Sequence, residues 1–302
     1  MLLLLMLAGP AQAESAGTLP KGSEVVYTGL GFTTFSQLDQ GGGITERDRE
    51  LRTRLDLYGS LGLTDALQLS LSAPVVYSTI ADDPDNLPCP GLLPGEGYCE
   101  SYATLGQARL DARYGLVNKQ GKVTVGLAAD VDRWNQGRRG QYNSAGSGRT
   151  AAEAFLVTGG EVPAGDWKLS GLLLGGYTHS FAPDATSADG TITVKAPGDT
   201  LRGSVELRAK TPTPVAIELG AHRLQRLNGV ELDGAWVGDW FFSSRDRWNV
   251  LQYSHWAGSA KVSIDLPDNM GIHVGASRVL AVENGPADLM DVSVGWHRYF
   301  AP

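Results

Sequence analysis

Alternation of apolar and polar residues with a period of two, sustained along almost the whole chain, is the feature that most restricts how this sequence can fold. In the stretch 49–78, RELRTRLDLYGSLGLTDALQLSLSAPVVYS, one parity carries Leu51, Leu55, Leu57, Leu61 and Leu63, and the other Arg52, Arg54, Asp56, Tyr58 and Ser60. After Thr64-Asp65 the pattern resumes, with Leu67, Leu69, Leu71, Ala73, Val75 and Tyr77 set against Gln68, Ser70 and Ser72. Successive side chains of a strand point to opposite faces, so this reads as a hairpin with one oily and one polar face.

The same test predicts twelve strands, near 24–38, 49–63, 66–80, 104–116, 122–134, 150–162, 167–181, 200–212, 215–227, 248–266, 270–282 and 288–300. They are longer than the five or six residues usual in soluble sheets. Short turns rich in Pro, Gly, Asn and Asp (Thr64-Asp65, 117–121, 163–166, 211–214, 267–269) alternate with the links 39–48, 81–103, 135–149, 182–199, 228–247 and the brief 283–287. A soluble sandwich has no reason to sort its turns in this way. A transmembrane barrel does, because tight turns and both termini lie on the periplasmic side and long loops face outward.

The fold class expected is therefore all-β: a transmembrane antiparallel up-and-down barrel of about twelve strands in the outer membrane of a Gram-negative-type envelope. The oily parity recurs in nearly every segment, as in Ala108, Leu110, Ala112, Tyr114 and Leu116, or Val123, Val125, Leu127, Ala129 and Val131. Closure satisfies every backbone polar group inside lipid, so the oily face is assigned to outer-membrane lipid. Tyr77, Trp134, Trp167, Trp248, Trp296 and Tyr299 fall near strand ends and read as aromatic girdles. The final strand ends on aromatic Phe300, similar to the signal by which barrels are handed to the outer-membrane barrel-assembly machinery, here followed by Ala301-Pro302.

The first residues, MLLLLMLAGPAQAES, combine an apolar block with Ala11-Gln12-Ala13, a pattern that predicts a signal peptide over 1–13 and a barrel over 14–302. Cys89 and Cys99, the two cysteines, lie in one Pro/Gly-rich loop; in an exported chain they are expected to form a disulfide. The net charge of −8 contains no basic run, so nucleic acid is not an expected partner.

The polar parity collects Arg52, Arg54 and Asp56; Arg109, Asp111 and Arg113; Asp130 and Asp132; Glu153; Arg202, Glu206, Arg208 and Lys210; Glu218; and Lys261 with Asp265. An Arg or Lys at the bilayer midplane on a lipid face costs roughly 2–4 kcal/mol, so these charges must point inward. All of these except Lys210 and Asp265, together with His222, are the candidate pore lining. Counting from the turns places Asp56, Asp111, Glu206 and His222 in one mid-height belt with Arg54, Arg109, Arg113 and Arg208, where they either constrict a path for a small solute or fill the lumen with ion pairs. No cofactor, metal site or catalytic set is indicated: there is no G-x-S-x-G or H-E-x-x-H, and Ser254-His255, a nucleophile and base in type, are adjacent on a strand and face opposite ways.

Leu57–Ser78, through Tyr58-Gly59, Leu63-Thr64-Asp65 and Pro74, resembles a hairpin of the phenol meta-degradation (MetA-pathway) family of outer-membrane barrels. The resemblance implies passive uptake of small, often aromatic or hydrophobic compounds and supplies no catalytic residues. A channel or facilitator is thus the expected function. The alternatives are a non-conducting scaffold or adhesion barrel that binds a partner through its loops, 228–247 with Trp236, Trp240, Phe241 and Phe242 among them, and an outer-membrane phospholipase-type enzyme.

Overall fold

The computed structural model describes residues 16–39, 44–81, 99–118, 121–132, 150–181, 185–186, 192–194, 199–227, 232–234, 254–283 and 287–302. The predicted signal peptide, Cys89 and the side chain of Cys99, Trp134, Trp248 and the aromatic loop at 236–242 lie outside the described residues. Twelve long strands run in chain order: β1 (Glu24–Asp39), β2 (Ile44–Gly62), β3 (Leu67–Ala81), β4 (Cys99–Leu105, resumed by Ala108–Asn118), β5 (Gly121–Val131), β6 (Thr150–Ala164), β7 (Trp167–Ser180), β8 (Thr200–Lys210), β9 (Val215–Arg226), β10 (Ser254–Leu266), β11 (Met270–Glu283) and β12 (Met290–Phe300). Each pairs antiparallel with its sequence neighbours, and β1 pairs with both β2 and β12, which closes the sheet. Short strands at 185–186, 192–194 and 232–234 form a small separate sheet in the loops.

The local chemistry explains the details. β4 breaks at Gly106-Gln107 beside Pro74 of β3, whose carbonyl accepts the Gly106 N–H at 2.7 Å but which has no N–H to return. The register slips by one residue there, a bulge forced by proline in a ladder. Gly165, at φ +64°, opens the two-residue turn before β7, and Asp268 and Asn269, at φ 60° and 57°, turn β10 into β11. Paired left-handed residues of this kind match the twist of the strands they join. β2 begins at Ile44 and β4 at Cys99, so the predicted links 39–48 and 81–103 are shorter than read; their polar residues extend the ladders instead of looping.

The faces separate as the alternation requires. Leu57, Leu71, Leu110, Leu127, Leu207 and Leu219 are exposed on the outside, Leu127 at 68 %. On β7 the outward aromatics Trp167 and Tyr177 stand ten residues apart, about 25 Å along a strand tilted ~40°, the height of an apolar band between two girdles. Tyr77 belongs to the outer girdle. Tyr299 does not belong to a girdle. Its parity is inward, paired with Val25, and its hydroxyl lies 2.8 Å from Ser23 Oγ; Phe300 takes the outward place.

Before β1 the chain does not stay at the rim. Thr18 Oγ1 donates to the Asp65 carbonyl at 2.8 Å, the Leu19 N–H donates to Gln68 Oε1 at 2.9 Å, and Thr124 Oγ1 donates to the Ala16 carbonyl at 2.5 Å. The segment thus crosses inside the periplasmic mouth, and Ala16 joins one buried apolar cluster with Ala128, Phe155, Val157 and Leu172 of β5, β6 and β7.

Candidate functional site

The inner wall is built from alternate residues of all twelve strands, and its charges fall into groups. In the first, Arg54 Nε donates to Asp56 Oδ1 at 2.7 Å and Nη1 to Asp291 Oδ2 at 3.4 Å, while Thr33 Oγ1 donates to Asp291 Oδ2 at 2.6 Å. Arg54 reaches Asp291 of β12 from β2 only because β1 carries Gly31 between them: a Cβ there would stand 2.6 Å from Nη2. Beneath this group Tyr27 stacks on His273, with ring centroids 5.4 Å apart.

The second group lies across β4 to β8. Arg109 Nη1 donates to Asp130 Oδ1 at 3.3 Å, and Nη2 to Glu153 Oε2 at 2.6 Å. Arg202 Nε donates to Glu153 Oε1, and Arg113 Nε to Asp111 Oδ1 at 2.9 Å. Glycine again makes the reach possible, because a Cβ on Gly176 of β7 would sit 2.2 Å from Glu153 Oε1. Three guanidiniums surround the Phe155 ring, those of Arg109, Arg113 and Arg202 at 5.9, 5.5 and 5.8 Å from its centroid, and the ring lies flat over Gly126.

Nearer the periplasmic mouth, Lys261 Nζ lies 3.0 Å from Glu218 Oε1 and Lys210 pairs with Asp265. A cavity of about 230 Å³ there is lined by Ala16, Lys122, Glu206, Arg208 and Glu218. His222 is set apart, edge-on to His255 at 5.8 Å, and Ser254 Oγ accepts the Arg226 N–H at 3.2 Å. No group of three or more metal-ligating side chains occurs among the described residues.

The structure corrects the expected single belt. Glu206 and Arg208 stand four and two residues from the end of β8 at Lys210, low with Glu218, whereas Asp56 and Asp111 stand six and seven residues from the turn ends of β2 and β4, and His222 stands beside His255. Arg52, Asp130, Asp132 and Glu153 are buried on the inner parity. Sequence reasoning missed Asp291, Phe155 and the inserted Ala16. Asp291 was readable as the lone acid on the inner parity of β12; Phe155 was hidden in Ala154-Phe155-Leu156-Val157, where both faces are apolar.

The ion pairs of these groups share one geometry: each joins side chains on the same strand, on adjacent strands, or on strands separated by one. None of them crosses the barrel. A depression of about 850 Å³ is not part of the lumen. Its rims are the outward rows Leu127-Ala154-Tyr177 and Val125-Leu156-Gly175, so it opens toward the bilayer.

No protein-family model and no curated protein sequence matches the chain. Solved structures do. The COG4313 outer membrane channel from Pseudomonas putida F1 superposes with a TM-score of 0.66 at 14% identity, over 95% of this chain and 98% of that one. The NanC porin gives 0.48 at 8% identity over 90% and 98%, and the CymD monoaromatic hydrocarbon channel 0.40 at 12% over 94% and 90%; both are too distant in structure to bear on function. The chain is an all-β, twelve-stranded closed transmembrane barrel with the fold of an outer-membrane barrel, the architecture that the Leu57–Ser78 hairpin resembles.

Proposed function

We propose that this protein is an outer-membrane channel through which small solutes pass passively, and that it favours apolar or aromatic ones. The observation that carries the proposal is the pairing of charge along the wall instead of across the lumen. Twelve strands ~4.8 Å apart and tilted ~40° close a ring about 24 Å across, and inward side chains of ~6–7 Å leave a path of about 10 Å. Ion pairs folded against their own wall keep the charges neutral without closing that path, whereas a filled interior would need pairs bridging it.

The lining residues are those of the inner parity, with Arg54, Asp56, Arg109, Asp130, Glu153 and Arg202 at the constriction. The preference for apolar solutes is what the Leu57–Ser78 resemblance implies; the apolar stripe of Ala128, Phe155, Val157 and Leu172 is buried beside Ala16 and three guanidiniums and packs the wall instead of facing the path. The fold shared with a solved outer membrane channel supports a channel in general and no particular solute.

Flux assays on proteoliposomes test both parts. Benzoate should enter faster than a non-aromatic carboxylate of similar size through protein whose heat-modifiable gel shift shows the folded barrel. Equal rates for the two carboxylates would remove the solute preference. No flux of either from folded protein would remove the channel.

A further inference from the structure

Two arginines stand on strand positions that point out of the barrel. Arg223 on β9 shares its face with the exposed Ile217 and Leu219, opposite Gly203 of β8 and Trp256 of β10. Arg278 on β11 is exposed, shares its face with Ile272 and Val274, and stands opposite Gly258 of β10 and Met290 of β12. The pair straddles β10, one row apart, so their Cα atoms are about 12 Å from each other and two extended guanidinium side chains reach a common point above it.

That point is a cradle. Gly258 supplies a floor without a side chain, and a Cβ there would meet Leu280 Cδ1 at 3.3 Å. Leu280, 70% exposed, is the extra residue where Trp256 pairs with Ala281 and Ala257 with Val279, so a bulge pushes it outward as one wall. Trp256, 45% exposed, is the other wall; the Arg223 guanidinium carbon lies 5.0 Å from its ring centroid, and Arg223 Nη2 donates to Gln225 Oε1. Neither arginine takes part in an ion pair with a described residue. The acid on this face, Glu283, is at the loop end of β11 beyond Trp256.

Height decides what the cradle meets. Arg223 is eight residues past Val215 and Arg278 eight past Met270, about 20 Å above the periplasmic turns in an apolar band ~25 Å tall. At that level the cost of an outward arginine has fallen to about 0–1 kcal/mol, and the neighbours are headgroups of the outer leaflet. Guanidinium forks match phosphate oxygens geometrically, and a ring between them suits the start of an acyl chain.

We propose that Arg223 and Arg278, around Gly258, Trp256 and Leu280, bind a phosphorylated glycolipid of the outer leaflet through its headgroup phosphate. The inference is independent of whether the lumen conducts. The test is the unfolding temperature of detergent-solubilised protein titrated with diphosphoryl lipid A, fully dephosphorylated lipid A, phosphatidylglycerol and inorganic phosphate. Diphosphoryl lipid A should stabilise the wild type, and Arg223→Gln with Arg278→Gln should weaken its apparent affinity about twenty-five-fold, about fivefold for each charge near an anionic surface. Arg298→Gln, an outward arginine at the periplasmic end of β12, should leave it unchanged and serves as the control for folding and surface charge. Equal affinity in the wild type and the double variant, equal loss in Arg298→Gln, or stabilisation by the dephosphorylated lipid or by inorganic phosphate would overturn the proposal. Stabilisation by phosphatidylglycerol as strong as by lipid A would overturn the assignment to a glycolipid.

Discussion

Replacing Glu153 with glutamine removes the carboxylate on which the second ion-pair group converges. Its side chain is 1% exposed and accepts from Arg109 at 2.6 Å and from Arg202. Around it stand three arginines, Arg109, Arg113 and Arg202, and three carboxylates, Asp111, Asp130 and Glu153, so 3 − 3 = 0 becomes 3 − 2 = +1. Removing one partner of a buried ion pair costs about 3–5 kcal/mol. The glutamine carbonyl still accepts one of the two hydrogen bonds and lumen water screens the stranded charge, which places the expected loss near the lower end, about 3 kcal/mol. Urea unfolding in lipid vesicles, followed by tryptophan fluorescence, measures it. Adding Arg202→Met should recover part of the loss, because the second change removes the charge that the first left unpaired. A Glu153→Gln barrel within about 0.5 kcal/mol of wild type would refute the reasoning, since that is the range of surface changes that touch nothing.

Gly126→Ala should destabilise the barrel by about 1–3 kcal/mol, because its Cβ would stand 2.1 Å from Phe155 Cζ; in a Phe155→Ala background the penalty should vanish, which the same unfolding assay reads. Thr124→Val leaves the Ala16 carbonyl without its donor, so a cysteine at position 16 should react faster with a thiol reagent added from the periplasmic side; an unchanged rate would mean that this hydrogen bond does not hold the segment. Burial pushes the Asp199 carboxyl up, but hydrogen bonds from the Tyr177 hydroxyl and the Ser180 N–H, together with His179, outweigh it and hold the group below the usual carboxylate range. The stabilisation is therefore complete above the unfolded value of about 3.9 and lost as pH falls through the lower folded value. Amide exchange at Ser180 should accelerate in that acid window and should already be fast at pH 6 in Asp199→Asn; pH-independent protection would contradict it.

Much of this barrel was readable because the alternation carries two kinds of information at once. A lipid face penalises charge most at mid-height, so Arg52, Arg54, Arg109 and Arg113 belonged on the inner parity, and the short turns marked the tight end of each hairpin. The inner face has no such rule. Glycine, aromatics and small apolar residues are all permitted there, which is why Phe155 over Gly126 and the apolar stripe left no periodic trace. Pairing depends on which strands adjoin: Arg54 and Asp291 are neighbours only through closure of β1 on β12, a relation that no local window contains. The insertion of Ala16 is of the same kind, set by Gln68 and Thr124 far along the chain. Tyr299 was misread because near a strand end a tyrosine suits either a girdle or the wet mouth, and only the register with Val25 decides.

The central claim is that wall-bound ion pairs leave a continuous path, and single-channel recording in planar bilayers tests it most directly. Purified folded protein should give discrete conductance steps with weak ion selectivity, and Glu153→Gln should shift the reversal potential toward anions, as expected when the constriction carries an unpaired guanidinium. Insertion of folded protein without steps, or a reversal potential that Glu153→Gln leaves unmoved, would contradict the account.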